Sequence, residues 1–117
     1  MVDLNIIKRI AEVEFADIVE ISFTIDYKLR IILKDKSFID VNLSKKLLGK
    51  FGFHWECQGD EIYRYDNFPD KKCRKLSTYP YHFHKNSKEN IQSSPFSLSS
   101  IEGFRDFMKF VRSKLAC

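Results

Sequence analysis

Three runs of alternating apolar and polar residues, separated by turns of only a few residues, constrain this chain more than any other feature. Val19, Ile21, Phe23 and Ile25 alternate with Glu20, Ser22 and Thr24. Leu29, Ile31 and Leu33 stand opposite Lys28, Arg30, Ile32 and Lys34, and Ile39, Val41 and Leu43 alternate with Asp40 and Asn42. Successive side chains of a strand point to opposite faces, so a period of two describes strands with one buried face. Asp26-Tyr27 and Asp35-Lys36-Ser37 are too short to carry a crossover helix. The three strands are therefore antiparallel neighbours in a meander.

The pattern continues beyond them. Phe51, Phe53, Trp55 and Cys57 share one face of a fourth predicted strand, with His54 and Glu56 on the other, and Gly59-Asp60 supplies a turn. A fifth strand runs from Glu61 to about Asn67 and ends before Pro69. Thr78 to His84 reads as a sixth, shorter strand, in which Pro80 implies an edge position or a late start. Ser44 to Gly49 reads as one helical turn and Asn86 to Pro95 as a polar loop. At both ends the period becomes helical. Asp3 can cap a helix reaching Glu14 that carries Leu4, Ile7, Ile10 and Ala11. A last helix, roughly Ser100 to Leu115, carries Ile101, Phe104, Met108, Val111 and Leu115, with Ser99 and Glu102 as a capping box. The expected fold is one α+β domain over residues 1–117. A single mostly antiparallel twisted sheet of about five or six strands is covered on its apolar face by an N-terminal and a C-terminal helix.

A hydrophobic fraction of 44% is enough to build a core. No apolar run approaches the roughly 20 residues needed to cross a bilayer. Met1-Val2-Asp3-Leu4 lacks the basic head and apolar stretch of a signal peptide. Cys57, Cys73 and Cys117 are odd in number and lack a CxxC spacing, which excludes a disulfide-stapled secreted scaffold. Cys57 is expected in the core and the other two as free thiols. These features point to a cytoplasmic protein with no membrane association. There is no GxGxxG, no GxxxxGK[ST] and no GxSxG, so nothing argues for nucleotide binding or a serine hydrolase.

The net charge is +4, and its placement is informative. Between Asp70 and Lys88 lie Lys71, Lys72, Arg74, Lys75, Lys85 and Lys88 against one acid, Asp70. A localised basic segment is the footprint of a phosphate-bearing partner, although a solvated loop would look the same. Alternation places all three histidines on the polar side of late strands: His54 with Glu56, Arg64 with Asp66, and His82 with His84. Such a set suits metal-free RNA cleavage. A base takes the 2′-hydroxyl proton, an acid protonates the leaving 5′-oxygen, and a cation holds the phosphate. His82 and His84 fit the proton-transfer roles, Arg64 the clamp, and Asp66 the support of an imidazole. Lys71, Lys72, Arg74 and Lys75 would attract RNA, and an aromatic such as Tyr65 could stack a base. An HxH pair with His54, Asp66 or Glu56 as third ligand could instead hold a metal, as in a metal-dependent nuclease or a nucleotidyl-transferring toxin. The bland reading makes the histidines surface residues of a non-catalytic RNA- or protein-binding module.

The run Tyr63-Arg64-Tyr65-Asp66-Asn67-Phe68-Pro69, read with Pro80-Tyr81-His82-Phe83-His84, resembles the TumE-type toxin family. Those are small proteins encoded beside an antitoxin gene in bacteria and archaea. The family has a "YRYDN-x-P" segment, a basic stretch and then a "P-x-H-x-H" segment, with Trp55 matching an earlier aromatic. Asp70 stands where relatives commonly have His, which leaves one histidine position unfilled. The resemblance implies growth inhibition and a neutralising antitoxin protein as partner. The combined expectation is a ribonuclease-like toxin with RNA and the antitoxin as partners. It requires no cofactor and no metal, and it could pair with a copy of itself.

Overall fold

A computed structural model describes residues 3–57, 59 and 61–115. The elements follow in the order α1 (Leu4–Glu14), β1 (Val19–Ile25), β2 (Lys28–Leu33), β3 (Phe38–Leu43), β4 (Phe51–Glu56), β5 (Ile62–Asp66), β6 (His82–His84), β7 (Ile91–Ser93) and α2 (Ser100–Leu115), with a single 3-10 turn at Lys71–Cys73. The strands form one seven-stranded sheet in chain order, every neighbouring pair antiparallel.

Asp3 caps α1 as expected, accepting from the Ile6 N–H at 3.1 Å. Ile7, Ile10 and Ala11 of α1 and Phe104, Phe107, Met108 and Val111 of α2 are buried in one core with Leu29, Ile31, Leu33, Ile39, Val41, Phe53, Trp55, Tyr63 and Tyr65. Both helices therefore cover the same face of the sheet. The buried indole of Trp55 is satisfied by the Ser37 hydroxyl at 3.0 Å. Arg105 binds Glu14 and Arg112 binds Asp17, tying α2 to the end of α1. Among the described residues no helix is long and apolar enough to cross a membrane.

The structure departs from expectation at several places, each with a local cause. The sheet has seven strands rather than five or six, because Ile91–Ser93 pairs with β6 inside the stretch expected to be loop. Three residues flanked by polar neighbours are too few to show a period. β6 is consequently not an edge, and it starts only at His82, after a turn in which Tyr81 N–H donates to the Thr78 carbonyl at 2.8 Å. Within Ser44–Gly49, residues 45–47 are bends and 48–49 a hydrogen-bonded turn rather than a turn of helix, and the segment closes at Gly49 with φ +82°, a conformation that favours glycine. In β1 the register slips between Val19 and Ile21. The extra residue reverses the alternation, so Ser22 is buried while Ile21, Phe23 and Ile25 face outward. Glu102 pairs with Arg105 rather than closing a capping box. Among the described cysteines Cys73 is fully buried, whereas Cys57 is only half-buried. Asp60 and Cys117 lie outside the described residues.

Gly103 fixes how closely α2 approaches β5. A Cβ there would sit 2.8 Å from the Ser97 carbonyl oxygen and 3.0 Å from the Tyr65 ring. The Tyr65 hydroxyl donates to that same carbonyl at 2.8 Å, so neither neighbour is a loose chain end. Alanine would gain about 1 kcal/mol of helix propensity, but overpacking costs about 1–3 kcal/mol. Gly103→Ala is expected to lower the thermal midpoint; an unchanged or raised midpoint would contradict this packing.

Candidate functional site

The face of the sheet opposite the helices carries the polar residues in two rows set by strand register. In the first, Arg30 pairs with Asp40, Asp40 with His54, His54 with Arg64, and Arg64 with His84. In the second, Gly52 pairs with Asp66 and Asp66 with His82. Directly opposed residues of antiparallel strands share a face. Four residues singled out in the sequence, Arg64, Asp66, His82 and His84, are thus brought together, with His54 beside them.

Asp66 is the centre. It is 4% exposed, and its carboxylate accepts from Arg64 Nε at 2.7 Å and from the Phe68 N–H at 3.0 Å. His82 Nε2 lies 3.1 Å from one carboxylate oxygen and His84 Nε2 3.9 Å from the other. Burial alone would raise Asp66, but the His82 hydrogen bond and the Arg64 charge outweigh it and hold the carboxyl below its ordinary range. Burial would lower His82. The bond to Asp66 and the Pro80 carbonyl, which accepts from Nδ1 at 2.8 Å, raise it instead. His82 is 2% exposed and has both ring nitrogens engaged. His84 is more open, its Nδ1 donating to the Lys88 carbonyl at 2.9 Å.

These groups line a cleft of about 660 Å³ together with His54, Phe68, Pro69, Asp70, Lys71 and Lys88. Only Lys71 of the four basic residues expected to attract RNA lines it; Lys72, Arg74 and Lys75 are exposed on the segment that follows it. Asp70 caps the 3-10 turn there, accepting from the Lys72 N–H at 3.0 Å. Tyr65 is not brought to the cleft. Its ring is fully buried and its hydroxyl is spent on Ser97. Gly52 is a site residue that the sequence reading missed: the Arg64 guanidinium lies against its Cα, in the space that any Cβ would occupy. A glycine interrupting an aromatic strand was the available signal. Asp66, His82 and His84 could hold a metal ion, since one ligand atom from each lies within 4.8 Å of the others.

Fold and cleft together define a class: a small α+β protein with an open sheet face that carries an arginine–carboxylate–histidine cluster, with lysines on the cleft wall. The chain belongs to the TumE toxin family, whose description, Toxin TumE, matches residues 5–115. Membership makes it a toxin of a toxin–antitoxin system, with an antitoxin as partner. No curated protein and no solved structure matches it.

The Asp66–His82 pair makes stability depend on pH in a definite direction. The folded His82 holds its proton above the free value of 6.5, so its contribution is complete below that pH and is lost as pH rises through the raised value. Asp66, held low, keeps its contribution until the pH falls into the acid range. Asp66→Asn is therefore expected to destabilise by about 1–3 kcal/mol at pH 6 and by less at pH 9. Equal losses in denaturant melts at the two pH values would contradict the pairing.

Proposed function

We propose that this toxin acts on RNA and breaks its phosphodiester backbone in the Arg64 cleft, with protons moved by side chains. One observation carries the reading. Asp66 holds Arg64 through Nε, so the two terminal amino groups of the guanidinium remain to bind two phosphate oxygens. The 2′-oxygen attacks phosphorus as its proton leaves, a 2′,3′-cyclic phosphate forms, and the bond to the 5′-oxygen breaks as that oxygen takes a proton. His84, fixed through Nδ1 and open at the cleft, exchanges one of these protons through Nε2. His82, with both nitrogens engaged, acts with Asp66 as a positioning residue for Arg64. Lys71, Lys72, Arg74 and Lys75 draw the backbone toward the cleft.

A second reading rests on His82 and His84 each donating Nδ1–H to a backbone carbonyl, the usual outer contact of a metal-bound imidazole. Asp66, His82 and His84 would then hold a divalent ion that polarises the phosphate.

The test is cleavage of an RNA oligonucleotide and its DNA counterpart by purified protein, with and without chelator, alongside thermal melts. RNA is expected to be cut to 2′,3′-cyclic phosphate and 5′-hydroxyl ends, while DNA stays intact and chelator has no effect. His84→Ala should lose roughly 10²–10⁴-fold in rate while remaining folded. Loss of activity with chelator would shift the mechanism to the metal. RNA binding without cleavage would make the protein a binding module, and full activity of His84→Ala would overturn the acid–base role.

A further inference from the structure

Once His82 is committed to Asp66 and Pro80, the reaction above lacks a second proton-transfer group. The strand register supplies one. Arg64 stands at the middle of three adjacent strands, with His84 opposite it on β6 and His54 opposite it on β4. At about 4.8 Å between neighbouring strands, the two histidine α-carbons lie roughly 10 Å apart on one face with the Arg64 stem between them. Both imidazoles line the same cleft. We propose that His54 is the general base of RNA cleavage, working across Arg64 from His84. The proposal rests on the RNA-cleaving reading given above.

The chemistry then balances within the chain. His54 takes the proton of the 2′-hydroxyl, and the 2′-oxygen forms its bond to phosphorus. The bond from phosphorus to the 5′-oxygen breaks, and His84 hands that oxygen a proton. Exchange with water afterwards returns a proton to His84 and removes one from His54, and no co-reactant is consumed.

The surroundings of His54 suit a base. Burial disfavours its charged form, and although Glu56 and Asp40 oppose this, the Arg64 charge adds to it, so its pKa lies below the ordinary value. The groups facing it are Glu56 on its own strand, Asp40 from β3 and Arg64 from β5, and the same cleft is lined by Asp66, Asp70, Lys71, His82, His84 and Lys88. Asp40 is already bound by Arg30 and Lys28. The contact between His54 Nε2 and Glu56 is 3.3 Å long and involves a carboxylate whose side chain is 50% exposed. A substrate hydroxyl can displace so weak a partner. The ordinary alternative is a histidine that only pairs with Glu56 at the strand surface. It predicts no effect of His54 on rate.

The experiment compares wild type with His54→Ala and His54→Gln by thermal melt, RNA cleavage rate against pH, and rescue by added imidazole. Both variants are expected to stay folded and to bind a 2′-deoxy substrate analogue as wild type does. Their rate should fall roughly 10²–10⁴-fold, the low-pH limb of the profile should be lost, and imidazole should restore part of the rate to His54→Ala. A cleaving wild type with folded His54 variants of unchanged rate and profile would overturn this proposal and leave the RNA reading standing. A wild type that cuts no RNA would overturn both.

Discussion

The buried carboxylate of Asp66 is the constraint on which the functional face depends. A charge this far from water costs several kcal/mol unless partners surround it. Asp66 meets that requirement with Arg64 from its own strand, the Phe68 N–H just beyond it, and His82 from the neighbouring strand. Each partner is thereby held in one geometry. The guanidinium is folded down against Gly52, the Phe68 N–H is tied back to Asp66, and β6 is locked to β5 with His82 opposite Asp66. The paired state also explains why burial fails to neutralise either group. A carboxylate and an imidazolium in contact favour each other's charged forms.

That lock matters because the sheet has two faces with different tasks. The helices and the aromatic side chains of β4, β5 and β6 fill one face, where Trp55 stacks on Tyr63 at 5.3 Å between ring centroids and Phe53 meets Phe104 edge-on at 5.3 Å. Rigid aromatic packing on that side sets the positions of Arg64, His82 and His84 on the other, since each of them alternates with a buried ring. The antitoxin-partnered toxin of this family thus presents its cluster on a sheet rather than on loops, with only the cleft wall built from the 68–71 and 88 segments.

Much of this was legible in the sequence because period-two alternation and strand order are local properties. The meander, both helices, the antiparallel sheet and the family resemblance carried by residues 63–69 and 80–84 are all borne out. The convergence of Arg64, Asp66, His82 and His84 follows from the same alternation once β5 and β6 are neighbours. What escaped depends on register or on three dimensions. The slip at Glu20 turns Ile21, Phe23 and Ile25 outward, and nothing in an apolar alternation announces it. β7 is too short to show a period. Tyr65 looked available for stacking because the sequence does not reveal that its hydroxyl reaches Ser97 across the core. The closeness of His54 to Arg64 required the pairing of β4 with β5, and the two engaged nitrogens of His82 required the Pro80 carbonyl to be placed.

The most direct measurement is a pH titration of the His82 and His54 imidazoles by nitrogen-15 NMR on the intact protein. His82 is expected to hold its proton above the ordinary histidine value, while His54 loses its proton below that value. Asp66→Asn should bring His82 down and leave His54 close to its original position. A His82 that titrates at or below His54, or that ignores Asp66→Asn, would contradict the carboxylate-centred arrangement from which the rest follows.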